Sequence, residues 1–374
     1  MLSRRHLRIK VLQAIYAYHQ SDIHNLESAR KQLLASIERL YDLAIYQISF
    51  LLEIVSLART LIDEGRKKHL PTPEDLYPNL RFVENALILK IENNRSFLKL
   101  ADRLKISWGN YPETIRRLLT AIKESPAYAA YMATPAGSFK TDKDFIINIL
   151  ENFVVPDEGV QALLEEKNIF WANDARHQTF KITSDKLFSE NPEDLPDREI
   201  FIKLYREAGS PADGLEIHVE EDSFYPENDY HIAAGLAKRI LNEFKASWDE
   251  FSPLPPLFKP GFDEEDSDEI FVNRLFQKTI LRDNEISGLI IDKITNWDPE
   301  RLAVMDMLLL KMAVVELTEF PSIPVKVTLN EYIDLAKAYS TPKSGQFVNG
   351  VLDKVVASLN EQGKITKSGR GLIE

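Results

Sequence analysis

A chain of 374 residues, 44% of them hydrophobic, can bury one large core or two modest ones and belongs to the globular class. Its formal net charge of −12 excludes an indiscriminate nucleic-acid coat, because an acidic surface repels phosphate and any such contact has to be local. The lack of cysteine excludes disulfides, thiolate metal sites and cysteine nucleophiles, and fits a cytoplasmic setting.

Residues 4–20 read as a helix with Leu7, Val11, Leu12, Ile15 and Tyr16 on its inward face. Arg4, Arg5, Arg8 and Lys10 make its opening turns purely basic, the first acid being Asp22. Positive charge at a helix N-terminus opposes the dipole, so an anionic partner would relieve it; a solvated basic face is the plainer alternative. Gln13, His19 and Gln20 interrupt the residues after this basic start, which therefore lack the apolar core of a secretory signal.

A long helical pattern runs from Leu26 to about Lys68 and ends in the stretch Gly65 to Pro73. Further patterns cover Leu87–Leu104, Glu113–Met132 with a break at Pro126, Asp144–Phe153 and Pro156–Lys167. Periodicity weakens between Asn173 and Tyr230 and returns over His231–Trp248. Pro253, Pro255, Pro256 and Pro260 then make a stiff extended linker. Acids from Asp263 to Glu269 suit the start of a helix over Ile270–Leu281, and another helix comes next over Glu285–Thr295. No apolar run reaches membrane-spanning length. The best, Leu302–Leu317, is broken by Asp306, Lys311 and Glu316, so no membrane partner is expected.

Three helices in series close the chain. Asp298-Pro299 reads as a cap and first turn ahead of Leu302, Met305, Leu308, Leu309, Met312 and Ala313. Thr328 and Glu331 have capping-box spacing ahead of Tyr332, Leu335, Ala336 and Tyr339, and the prolines at 321 and 324 force a turn between the two helices. Thr341 and Pro342 suit the cap and first position of the last helix, whose stripe is Phe347, Val348, Val351, Leu352, Val355, Val356 and Leu359.

The wording of these pieces carries a resemblance. Ile323 to Lys337, then Ser344 and Phe347-Val-Asn-Gly-Val-Leu-Asp353, closely resembles the C-terminal signature of the NusB family of transcription antitermination factors. Arg4-Arg5-His-Leu-Arg8 followed by Gln13-Ala-Ile-Tyr16 is similar to that family's basic first helix. The resemblance covers roughly residues 1–60 and 263–360. It implies an all-α, NusB-like helical bundle with N-terminal helices over 1–62, a mostly helical insertion over 63–262 of the kind associated with Bacteroidetes homologues, a C-terminal bundle over 263–360 and a polar tail over 361–374.

For function, the resemblance implies binding of boxA-type single-stranded RNA together with ribosomal protein S10, within the transcription elongation complex on ribosomal RNA operons. Single strands are held by cations along phosphates and by rings stacked on bases. Arg4, Arg5, Arg8 and Lys10 would meet phosphates, Gln13 a base, and Tyr16 the edge of the surface. Lys337 and Tyr339 close one C-terminal helix, and Lys343, Ser344 and Phe347 open the next. The family often has a glycine and acids in the loop where Ser340 and Lys343 stand. Phe347 also lies on the apolar stripe and reads as core.

Nothing points to catalysis, and no cofactor or metal is expected. The seven histidines are scattered without ligand spacing, and there is neither a phosphate loop nor a G-x-S-x-G elbow. The alternatives are a helical protein adaptor whose RNA site has decayed, or an accessory of a ribosomal RNA modifying enzyme. The latter lacks the α/β cofactor domain and the cysteines of the methyltransferases to which such bundles are fused.

Overall fold

A computed structural model describes residues 2–20, 24–134, 137–166, 181–183, 217–218, 229–261, 267–294, 303–341 and 343–372. The Asp298-Pro299 cap, the acids 263–266, Pro342 and most of 173–230 lie outside the described residues. The architecture is all-α; one small antiparallel pair, β1 (Lys181–Thr183) with β2 (Ile217–His218), joins Lys181 opposite His218. The chain divides into two compact units. One comprises Glu38–Trp171 and Asp229–Leu257; the other comprises Leu2–Ile37, Ala172–Asn228 and Phe258–Glu374.

The first unit contains most of helix α2 (Leu26–Arg66), then α3 (Pro73–Leu76), α4 (Ala86–Asn93), α5 (Arg95–Arg103), α6 (Pro112–Glu124), α7 (Pro126–Ala133), α8 (Phe139–Ile149), α9 (Glu158–Glu166) and α10 (Asp229–Glu243). Local chemistry punctuates it. Pro126 separates α6 from α7 as expected, and Ser125 caps α7 by accepting from the Tyr128 amide. The pattern over Leu87–Leu104 is split at the buried Asn94, whose side chain caps α5 at the Phe97 amide, 2.9 Å away. The core of this unit includes Phe50 and Trp108, whose rings meet edge to face at 4.8 Å while the Trp108 indole N–H donates to Ser49. By length and composition α2 is apolar enough to cross a membrane, contrary to the reading of the sequence, but half of that stretch is buried inside the protein.

The second unit holds α1 (Arg4–His19), α11 (Asp268–Leu281), α12 (Asp283–Ile291), α13 (Val304–Glu319), α14 (Val325–Tyr339) and α15 (Ser344–Glu361). Helix α13 is its axis. It packs against α1, α11, α12, α14 and α15, so Leu308 through Val315 are all buried and not only the one face that the spacing suggests. Two helix starts differ from expectation. Helix α14 begins at Val325 directly after Pro324, which sets the backbone for a first turn; Thr328 lies inside the helix, buried, with its hydroxyl on Glu316 instead of capping. Helix α15 begins at Ser344 with Lys343 at the cap position and no side-chain cap. In the tail, Ser368 donates its amide to the Pro321 carbonyl, and Gly369–Leu372 forms a 3-10 turn.

Candidate nucleic-acid interface

The arginines of the first helix face acids from the far end of the chain. Ser3 caps α1 through the His6 amide, and the apolar stripe Leu7, Val11, Leu12 and Ile15 is turned into the core. Arg8 shares that stripe, four residues before Leu12. Its guanidinium grips Glu316 of α13 with two hydrogen bonds of 2.8 and 2.7 Å, and both side chains are buried. Glu316 also accepts from the hydroxyls of Thr328 and Tyr332 at 2.9 and 3.1 Å. Burial by itself would lower the Arg8 pKa, but the charge and hydrogen bonds of Glu316 overcome it and the net direction is upward. Burial, then the Glu316 charge, raises the Tyr332 phenol well above its ordinary range.

The other arginines sit nearer the surface. Arg4 donates to Asp268 of α11 at 3.2 Å and lies over the Phe271 ring. Arg5 reaches Glu331 at 3.1 Å and Asp334 at 3.0 Å on α14, and hydrogen bonding to Glu331 raises its pKa. Asp334 also accepts from Lys337 at 3.2 Å; that bond first, with help from Arg5, holds its carboxyl below the usual range. The stem of Lys337 in turn lies against Gly345, where a Cβ would come within 2.8 Å of the Lys337 Cγ. A row therefore runs from α1 through Asp334 and Lys337 to the first turn of α15. The two ends of the chain meet within one unit.

The junction of α14 and α15 is tied from below. The Ser344 hydroxyl, 1% exposed, donates to the buried Asp306 carboxylate of α13 at 2.8 Å. Ser340 and Thr341 hydroxyls lie 3.0 and 2.8 Å from it, and it accepts the Thr341 amide. Burial raises the Asp306 pKa against the lowering effect of Ser340 and Ser344. Above this cluster Lys343 and Lys337 are exposed and Phe347 is half-buried.

The eleven residues singled out in the sequence thus separate by depth. Arg5, Lys337 and Lys343 present charge at or near the surface, with Arg4, Gln13 and Phe347 half-buried. Arg8, Lys10, Tyr16, Tyr339 and Ser344 are buried. The residues that sequence reasoning missed are the acids. Glu316, inside an apolar run, reads in the sequence only as an interruption, yet a carboxylate in a buried helix has to be paired, and Arg8 on the inward stripe of α1 is its visible partner. Glu331, Asp334, Asp268 and Asp306 carry no such signal.

Comparison with known proteins agrees with this bundle. A family model described as the NusB family matches residues 234–357, which include α11–α14 and most of α15; α1 lies outside that span. A protein of Salinibacter ruber named transcription antitermination protein NusB is 42% identical over 138 residues, covering 37% of this chain and 86% of the relative. Proteins of the same name from Chloroherpeton thalassium and Clostridium novyi are 36% and 33% identical, covering 28% and 32% of this chain and 49% and 92% of those relatives. No solved structure matches. With the sequence signature lying on the helices whose packing builds the junction, and with two of these relatives covered over most of their length, the chain belongs to the NusB family.

Proposed function

We propose that this protein is a transcription antitermination factor that binds a boxA-type single-stranded RNA jointly with ribosomal protein S10 and hands the pair to the transcription elongation complex. It acts by binding, without turnover or cofactor. The observation that supports this reading is the row Arg5, Asp334, Lys337 and Gly345, which joins the basic first helix to the α14–α15 junction. Phosphates would exchange with Asp334 and Glu331 for Arg5, while Lys337 and Lys343 extend the track and Phe347 offers a ring edge. Arg8, Lys10, Tyr16, Tyr339 and Ser344 would shape this surface from beneath. Family resemblance supports S10 as co-ligand, and the acidic excess favours encounter with a basic protein.

A second reading has one observation in its favour: each of Arg4, Arg5 and Arg8 already has an acidic partner within the chain. These pairs relieve the dipole conflict internally, which suits a protein adaptor without RNA. Titration of a boxA-like RNA with and without S10 separates the two. Replacing Arg5, Lys337 and Lys343 singly by alanine weakens RNA binding about three- to tenfold each if they meet phosphates. Absence of RNA binding by the unaltered chain, with S10 still bound, establishes the adaptor, whereas RNA affinity unchanged in all three variants places the RNA site elsewhere.

A further inference from the structure

The other unit carries a cationic track that the first site does not use. Residues 95–123 contain seven basic residues against two acidic ones, in a chain of net charge −12. On α5, Arg95, Lys99 and Arg103 recur every four residues, which sets them one above the next along one face at about 6 Å intervals. Arg95 and Arg103 side chains are 63% and 59% exposed; their ion pairs, to Glu250 at 3.3 Å and Asp42 at 2.5 Å, are surface pairs that exchange readily with another anion. Asp102 shares the face, and the track stays net positive. The Lys99 and Lys105 side chains are exposed and have no hydrogen-bond or ion-pair partner among the described residues.

Two features are hard to explain as a solvated helix face. The first is Phe251, 63% exposed. The turn that presents it is fastened to α5: Arg95 donates its amide to the Glu250 carbonyl at 2.9 Å, and Asn94 donates its side-chain amide to the Ser252 carbonyl at 2.8 Å. The Arg95 guanidinium lies over the ring at 4.5 Å. The outcome is an aromatic ring held in the open, on a fastened turn, at one end of a row of cations. The second is Lys105, among the described residues the one non-glycine with a positive φ, 50°. It occupies the left-handed position just past α5, where its amide bonds to the Asp102 carbonyl and the Ile106 amide to that of Ala101. Glycine is the residue that adopts this helix ending without steric cost. A lysine anywhere in the last turn would satisfy the helix dipole equally well, so its presence at the strained position calls for a use of the charge at that point.

We infer that Phe251 and the row Arg95, Lys99, Arg103 and Lys105 form a second site for single-stranded RNA, in which one base stacks on Phe251 and successive phosphates lie along α5. Exposed ring and cation row together are the combination that single strands require; an acidic protein segment would use the cations alone. The inference extends the RNA reading above without depending on its residues.

The test uses the full chain with Arg5→Ala, Lys337→Ala and Lys343→Ala combined, which disables the first site, and a labelled oligouridylate of about a dozen nucleotides. Binding persists in this background, falls about tenfold with Lys99→Ala and Arg103→Ala together, and then depends less steeply on salt. Phe251→Ala weakens it about tenfold with the salt slope unchanged. Lys105→Gly raises the melting temperature yet weakens RNA binding about threefold, opposite signs that a purely structural lysine would not produce. The inference is overturned if these substitutions leave oligouridylate binding unchanged, or if a polyglutamate peptide binds equally well and ignores Phe251, which assigns the track to an acidic protein. Failure of the first-site reading is distinct: the background triple variant would then bind boxA-like RNA as the unaltered chain does.

Discussion

Removing the Arg8 guanidinium leaves the fully buried Glu316 side chain with two hydroxyl donors among the described residues and without its buried cation. Arg8→Ala is therefore expected to destabilise the protein by about 3–5 kcal/mol in urea denaturation, whatever it does to RNA. Arg8→Met with Glu316→Leu, which removes both charges and keeps volume, should recover most of that loss. The consequence for any RNA experiment is direct: loss of binding on altering Arg8 reports on folding, whereas Arg5, Lys337 and Lys343 report on the surface. Asp306 behaves in the opposite sense. Its folded pKa is raised, so its stabilising contribution is complete below the ordinary aspartate range, about pH 4, and is lost as pH rises through the folded value. Asp306→Asn keeps an acceptor for Ser344 without the charge. It is expected to gain about 1 kcal/mol at pH 7 and nothing below about pH 4, as measured by thermal melts across that range.

Helices in this chain begin and end where short-range chemistry says so, and they differ from expectation where a distant group competes. The break at Pro126 is read from the sequence, whereas the caps Ser125 and Asn94 are not, although each acts on the helix that follows it. The role of Thr328 could not be read there, because its hydroxyl is taken by Glu316, twelve residues earlier in the chain but on the packed neighbour α13. Asn94 combines a local cap with a distant tie. It caps α5, holds the Ser252 carbonyl and is 1% exposed, so Asn94→Ala is expected to cost about 2 kcal/mol in chemical denaturation. In the same variant the turn carrying Phe251 would lose its anchor, and protection of the 249–252 amides in hydrogen exchange should fall first.

Across the whole molecule an acidic protein binds RNA only if its cations are gathered, and the number gathered is measurable. Three phosphate contacts by Arg5, Lys337 and Lys343 correspond to a slope of about −2 in log affinity against log salt for a short boxA-like RNA, and each alanine substitution should reduce its magnitude by about 0.7. A slope near zero would place recognition elsewhere. The all-α class, most of the helix spans and the family resemblance were legible in the residues, because apolar recurrence at three and four positions, prolines and helix ends act within a few residues of one another. Depth was not legible. Nothing in the local spacing of Arg4, Arg5 and Arg8 tells which of them meets solvent, since that depends on α11, α13 and α14 closing over α1 from the far end of the chain. The sequence alone determined that basic residues open the first helix and a lysine-bearing junction precedes the last. Only the tertiary structure decided that one arginine is buried as a bolt to Glu316 while Arg5, Lys337 and Lys343 stay at or near the surface, because the cost of burying a charge is set by the partners that packing supplies.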